Sequence, residues 1–349
     1  MIVLHGSYFG DNFGDSLFVI QYVEHLKSLG YTDDEIALPF AGQRVRTYVD
    51  VSPRRGVHTF LSAEKIVFFG GGYFGERKTQ ITTWHLRFLI RYGFIGMISR
   101  ALGKKYIFLG VGAGPLKWGL TRAIVKAIVN GSEGFYARDE KSEKFLKGLG
   151  AKNVFRTTDS LIHWSKHRDL SNKDTKRILL HLPVKKEFES GLKKLISSIA
   201  SVFDDSYEIV IANDFYKPSF ESLSMHYARL HWSSVTYVEY SNPREFCNLI
   251  NSCGFVFTVK LHVGILALSS GSKVFNTYMH EKSQRFYRQI GKEQYCFDFR
   301  KLDESTQKLV EAMATLRDDD NYSYDLPQEV LRLSKLNMSI LKDFVGTSK

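Results

Sequence analysis

In FTVKLHVGILALSSGSKV, residues 257–274, an apolar run ends on Lys260 and His262, and a small-residue helical pattern starts at once. A helix N-terminus favours negative charge, and histidine is the side chain best suited to exchange protons near neutral pH. The pair therefore reads as an anion-handling acid–base step. A snorkelling lysine beside a histidine satisfied at a helix start is the competing reading. The pattern recurs where the apolar run GFYA meets Arg138 and Asp139. Asp139 stands where an N-cap belongs, and Arg138 either binds an anion or pairs with Asp159 or another acid.

Glycine-built turns complete the candidates. Gly6 to Asp15, with Gly10, Asn12, Gly14 and Asp15, lets the backbone bend and a ligand approach, although a plain tight turn needs the same residues. Gly70, Gly71 and Gly72 follow the apolar run IVFF. Each costs about 1 kcal/mol of backbone entropy relative to alanine. Close helix–strand packing accounts for one or two of them, and three point to a bound ligand. GVGAGP, residues 110–115, is a similar turn. None of these turns has the spacing of a phosphate loop or a dinucleotide fingerprint, so no nicotinamide cofactor is expected. Three cysteines without metal-ligand spacing predict no metal site and fit a reducing cytosol.

Elements that place such residues are legible around them. IVLHG, KIVFFG, KYIFLGV and GFYA are short apolar runs, each followed by a turn and a helix-like segment. The alternation restarts after the polar stretch 163–176 with RILLHLP, YEIVIAND, SVTYVEY, GFVFTVK, SKVFNTY and YCFDF, and amphipathic helices near 303–317 and 327–344 finish the chain. Continuous apolar strands between helices predict parallel sheets covered on both faces. The fold class is therefore α/β, with two Rossmann-like domains facing a cleft in a GT-B-like arrangement. The expected ranges are 1–168, the acceptor side, and 175–349, the donor side with the C-terminal helices. Ligands in such sheets collect at the carboxyl ends of strands.

Bulk properties narrow the function class. A chain of 349 residues with 44% hydrophobic and 24% charged residues is an ordinary globular composition. The excess of 48 Lys+Arg over 37 Asp+Glu gives +11 and calls for anionic company. Scattered basic residues without a nucleic-acid signature exclude nucleic acid as the expected partner. The N-terminus reaches turn residues too soon for a signal peptide. Arg87 and Arg91 interrupt the most apolar stretch, 84–105. It reads either as a basic amphipathic helix on a membrane surface or as a helix packed in its own domain. The expected location is cytoplasmic, with peripheral contact at the inner face of the membrane.

In series, these turns resemble the polysaccharide pyruvyl transferase family. The matching pieces are NFGD, GGGYF at 70–74, ARDEKSEKFLKGLGAKNV with Arg138, and TTDSL with Asp159. VKLHVGILALSSGSKV is similar to the family signature R-L-H-G-x-x-x-A-x-x-x-G-x-P, with Lys260 for the arginine, Val263 for the glycine and Lys273 for the proline. The resemblance implies transfer of a pyruvyl group from phosphoenolpyruvate onto two hydroxyls of a glycan sugar, giving a cyclic ketal in surface polysaccharide assembly. It implies that Arg138 and Lys260 hold the donor's anions and that His262 protonates the enol. Asn12, Asp15, Gly70, Gly71, Gly72 and Asp159 would bind substrate. His280, Lys282 and Arg285 either meet the phosphates of a lipid-linked or nucleotide-linked acceptor or form an exposed helix face. A GT-B glycosyltransferase using a nucleotide sugar and a non-catalytic glycan-binding relative are the alternatives.

Overall fold

The chain is described by a computed structural model, which covers all residues except 11, 77–80, 166–172, 184, 216–222, 280, 321, 323–324 and 349, and the side chains of 164 and 165. The apolar runs form strands as expected. β1 Ile2–Gly6, β2 Ile36–Ala37, β3 Lys65–Phe69, β4 Lys105–Val111, β5 Gly134–Ala137 and β6 Val154–Arg156 make one sheet. β7 Asp174–His181, β8 Glu208–Ala212, β9 Val235–Val238, β10 Cys253–Thr258, β11 Lys273–Tyr278 and β12 Cys296–Asp298 make a second. All pairings are parallel, in the orders β2-β1-β3-β4-β5-β6 and β12-β11-β10-β7-β8-β9. Both are Rossmann-like α/β sheets whose strand order reverses once, between β1 and β3 and between β7 and β10.

Each sheet buries its own core. In the first, Phe68, Phe108 and Phe135 stack across adjacent strands with ring centroids 4.5 and 5.0 Å apart, and Phe74 from the turn after β3 packs against Phe108 and Phe135 at 5.4 and 5.6 Å. In the second, Phe257 of β10 stacks on Phe275 of β11 at 5.3 Å, and Phe203 meets Phe255 and Phe257 edge-on at 4.9 and 5.7 Å. Helix Pro243–Ser252 begins on a side-chain cap. Asn242 accepts from the amides of Arg244 and Glu245, with Pro243 in the first helical position.

The compact units are Met1–Ser160 with Leu331–Lys349, and Leu161–Val330. This corrects the expected ranges of 1–168 and 175–349 at the C-terminus, where helix Gln328–Val345 returns its chain to the first unit. The reason is polar as well as apolar. Buried Asn337 donates to the carbonyl of Thr158 (3.0 Å) and buried Ser334 to that of Asp159 (2.7 Å). Lys65 and Tyr31 donate to the Val345 carbonyl near the helix end (2.9 and 2.8 Å).

Candidate functional site

In the first unit, the turns after β3 and β4 are zipped together by backbone. The Gly112 amide donates to the Gly71 carbonyl (2.9 Å), that of Phe74 to Gly112 (3.3 Å) and that of Gly114 to Phe74 (2.8 Å). Arg138, directly after β5, lays its guanidinium on this floor. A methyl group added at Gly112 would lie 2.8 Å from Nη2 and one at Gly72 3.5 Å away. At Gly112 a side chain would displace the guanidinium, whereas at Gly72 it would only touch it. Asp139 caps the next helix, accepting from the Ser142 amide (2.8 Å), and Ser142 Oγ accepts from the Ala113 amide (2.9 Å). These bonds fix the β5 turn against the β4 turn. Arg138 is 8% exposed and forms no ion pair among the described residues. Asp159, one partner offered by the competing reading, lies in a buried setting where its carbonyl meets Ser334 and its charge bears on Tyr22. A desolvated guanidinium with its fork uncommitted is a binding group for a carboxylate or phosphate.

In the second unit, the strand ends at the β7/β10 switch point carry a polar cluster. Lys260 is the N-cap residue of helix Leu261–Ser269, and its ammonium pairs with Asp214 Oδ2 at 3.2 Å. His181, the last residue of β7, places Nε2 3.5 Å from Asp214 Oδ1. Its Nδ1 lies 2.8 Å from Thr258 Oγ1, which also accepts from the Lys260 amide at 3.0 Å. Burial alone would push the Asp214 carboxyl up, but the His181 hydrogen bond and the His181 and Lys260 charges outweigh it and hold the carboxyl well below the usual carboxylate range. His262, 8% exposed, occupies the first turn of the same helix, two residues beyond Lys260. Gly264 lies in this helix where an added methyl would sit 3.0 Å from Tyr287 Oη, so helix packing accounts for a glycine there.

Asp214 and His181 were not singled out from sequence, although each ends or follows an apolar strand, the signal that marked Arg138 and Lys260. Because the folded pKa of Asp214 lies below the unfolded value of about 3.9, the carboxylate's contribution to stability is complete above about pH 4 and is lost as pH falls from there toward the folded value. Asp214→Asn is expected to cost about 2 kcal/mol at neutral pH and to flatten the acid limb of stability. Urea midpoints measured from neutral pH to below about pH 3 check this, and a variant with an unchanged acid slope would remove Asp214 from the cluster's electrostatics.

Other expected site residues have different accounts. Gly70 and Gly71 adopt φ of +55° and +72°, and added methyls would strike Phe18 at 2.6 Å and Ser7 Oγ at 2.5 Å. Turn conformation and packing therefore explain these two glycines, and of the three only Gly72 is exposed. Asn12 caps helix Phe13–Ser28 by accepting from the Gly14 amide (3.1 Å). Asp15 is half-buried in that helix's first turn. Together with burial, the main cause, its charge pushes the Tyr73 and Tyr92 hydroxyls up. Lys282 is exposed on helix Glu281–Gln289, and Arg285 pairs with Glu281 at 3.6 Å. His280 lies outside the described residues. Lys273 does not line the carboxyl edge of the sheet. It opens β11, at the opposite edge, and donates to the Arg317 and Asp319 carbonyls (3.1 and 2.9 Å).

The polysaccharide pyruvyl transferase family model matches residues 12–278. No curated protein matches the chain by sequence. Among solved structures, UDP-GlcNAc 2-epimerase from Methanocaldococcus jannaschii is similar over 98% of this chain and 99% of that one, with TM-score 0.64 and 11% identity. The enzyme from Neisseria meningitidis, solved bound to UDP-GlcNAc, is similar over 98% and 99%, with TM-score 0.57 and 12% identity. UDP-N-acetylglucosamine 2-epimerase from Rickettsia bellii matches over 99% and 95%, with TM-score 0.60 and 10% identity. At these identities the likeness is one of fold, the GT-B-like pair of Rossmann-like units.

Proposed function

As the chain belongs to the polysaccharide pyruvyl transferase family, we propose that it moves a pyruvyl group from phosphoenolpyruvate onto two hydroxyls of one glycan sugar, forming a cyclic ketal during surface polysaccharide biosynthesis. The observation that carries this reading is Arg138, a nearly buried guanidinium on a glycine floor with no acid to neutralise it among the described residues. Phosphoenolpyruvate supplies what that group lacks, a carboxylate and a phosphate. The acceptor is a sugar on a lipid-linked oligosaccharide or a nucleotide.

The reaction has a simple balance. His262 gives a proton to the enol methylene, which becomes a methyl group, and C2 becomes electrophilic. One sugar hydroxyl adds to C2 and its proton restores the acid. The C2–O bond to phosphate then breaks, the second hydroxyl closes the ring, and its proton leaves with inorganic phosphate. Arg138 and Lys260 stabilise the charge carried by carboxylate and phosphate through these steps. Lys260 enters with its ammonium already bound to Asp214, so a single point charge serves two anions where the family's arginine would offer a fork.

The test is incubation of the protein with phosphoenolpyruvate and a lipid-linked glycan pool. Expected are stoichiometric phosphate release and a glycan mass gain corresponding to one pyruvate ketal. Stabilisation by a nucleoside diphosphate but not by phosphoenolpyruvate, with neither product formed, would overturn the proposal in favour of a nucleotide-sugar transferase.

A further inference from the structure

Between Glu76 and Glu133 the sequence contains no aspartate or glutamate and ten lysines and arginines, so one segment carries nearly all of the chain's net charge of +11. Most of its exposed side chains belong to one long helical stretch, 81–101, and to helix Gly119–Asn130 beside it. The stretch runs through Ile81–Phe88, a π-helical turn Leu89–Gly93, and Phe94–Ala101. Its inner face is fixed by close packing: a methyl on Gly96 would meet Ile128 at 2.9 Å, and His85 is buried between Thr121 (2.8 Å) and Glu76 (3.1 Å).

The outer face is apolar where a water-facing helix should be polar. Leu86, Ile90, Phe94 and Met97 are 54%, 71%, 53% and 39% exposed. Residues four apart drift by about 40° per step on a plain α-helix. The π-helical turn counters that drift and keeps these side chains in one stripe. Trp118, stacked on His85 at 4.2 Å, and Leu120 are further exposed apolar side chains at the start of the neighbouring helix. Arg87, Lys117 and Arg122 are exposed on this stretch and at the start of the next helix, and Arg91, also exposed, lays its guanidinium over the Phe9 ring at 4.5 Å. No helix among the described residues is long and apolar enough to cross a membrane.

We propose that this face, the stripe Leu86–Ile90–Phe94–Met97 with its arginine and lysine border, docks the protein on an anionic lipid bilayer. Charge selects the occupant. A protein partner presents both signs, and a border with no acid anywhere in the segment has nothing to offer its cations. Nucleic acid would satisfy the cations but leave the apolar stripe in water. An anionic bilayer satisfies both, with the stripe among the acyl chains and the cations among the headgroups. The surface is independent of the reaction assigned above.

The test is co-sedimentation with phosphatidylcholine–phosphatidylglycerol vesicles and with phosphatidylcholine vesicles at low and high salt. Binding is expected to the anionic vesicles only and to weaken with salt. Ile90→Ser with Phe94→Ser, and separately Arg87→Glu with Arg122→Glu, should each lower partitioning by about tenfold or more. All four side chains are exposed, so circular dichroism and thermal melting should match the wild type. The proposal falls if the wild type ignores anionic vesicles or if the Ile90/Phe94 variant binds as well as the wild type. It also falls if the wild type is a dimer that this variant dissociates while neither binds lipid.

Discussion

His262→Gln should lower kcat for ketal formation by about a hundredfold to ten-thousandfold, the range for losing a general acid, with the KM for phosphoenolpyruvate changed by less than about threefold. Glutamine keeps the side chain's reach and a hydrogen-bonding tip but cannot deliver a proton. The position makes the proton the main loss. His262 sits in the first turn of a helix whose remaining residues are buried through Leu268, so its backbone is held by packing that a glutamine does not disturb. Phosphate release and glycan mass gain should fall together, because both follow protonation of the enol. In deuterated water the wild type should place one deuterium in the new methyl group. Full activity in the variant would take the acid role away from His262.

The strands were legible because a parallel sheet buried on both faces writes each strand as an unbroken apolar run. β2 and β6 escaped that signal. β2 is only Ile36–Ala37, and β6 leaves Phe155 49% exposed at the sheet edge. The return of the last helix to the first unit was not legible, since an amphipathic period says which face is buried and not what buries it. Ser334 and Asn337 make that choice through carbonyls about 180 residues away. At the candidate site, the rule that ligand groups stand at strand carboxyl ends marks Arg138, Lys260 and His262. The same rule applied to RILLHLP and YEIVIAND marks His181 and Asp214. Their pairing with Lys260 depends on the order β10-β7-β8, which joins strands far apart in sequence. The triple glycine misled in part because a positive φ and a crowded neighbour require glycine as strictly as a ligand does.

Arg138→Lys should raise the KM for phosphoenolpyruvate about tenfold to a hundredfold, and Arg138→Ala further still, from a loss of about 1.5–3 kcal/mol for a charge-assisted hydrogen bond. Lysine keeps the charge, but a point charge forfeits the paired N–H groups of the guanidinium that rests against Gly112. Stability separates a binding arginine from a structural one. Were Arg138 a structural ion-pair partner, its removal would strand a buried carboxylate and cost about 3–5 kcal/mol. No acid pairs with it among the described residues, so Arg138→Ala should melt within about 2 °C of the wild type or above it. Phosphoenolpyruvate should raise the melting temperature of the wild type and leave that of Arg138→Ala unmoved. A variant that melts far lower while keeping its KM would make Arg138 a packing residue, and the donor's anions would then need another cation.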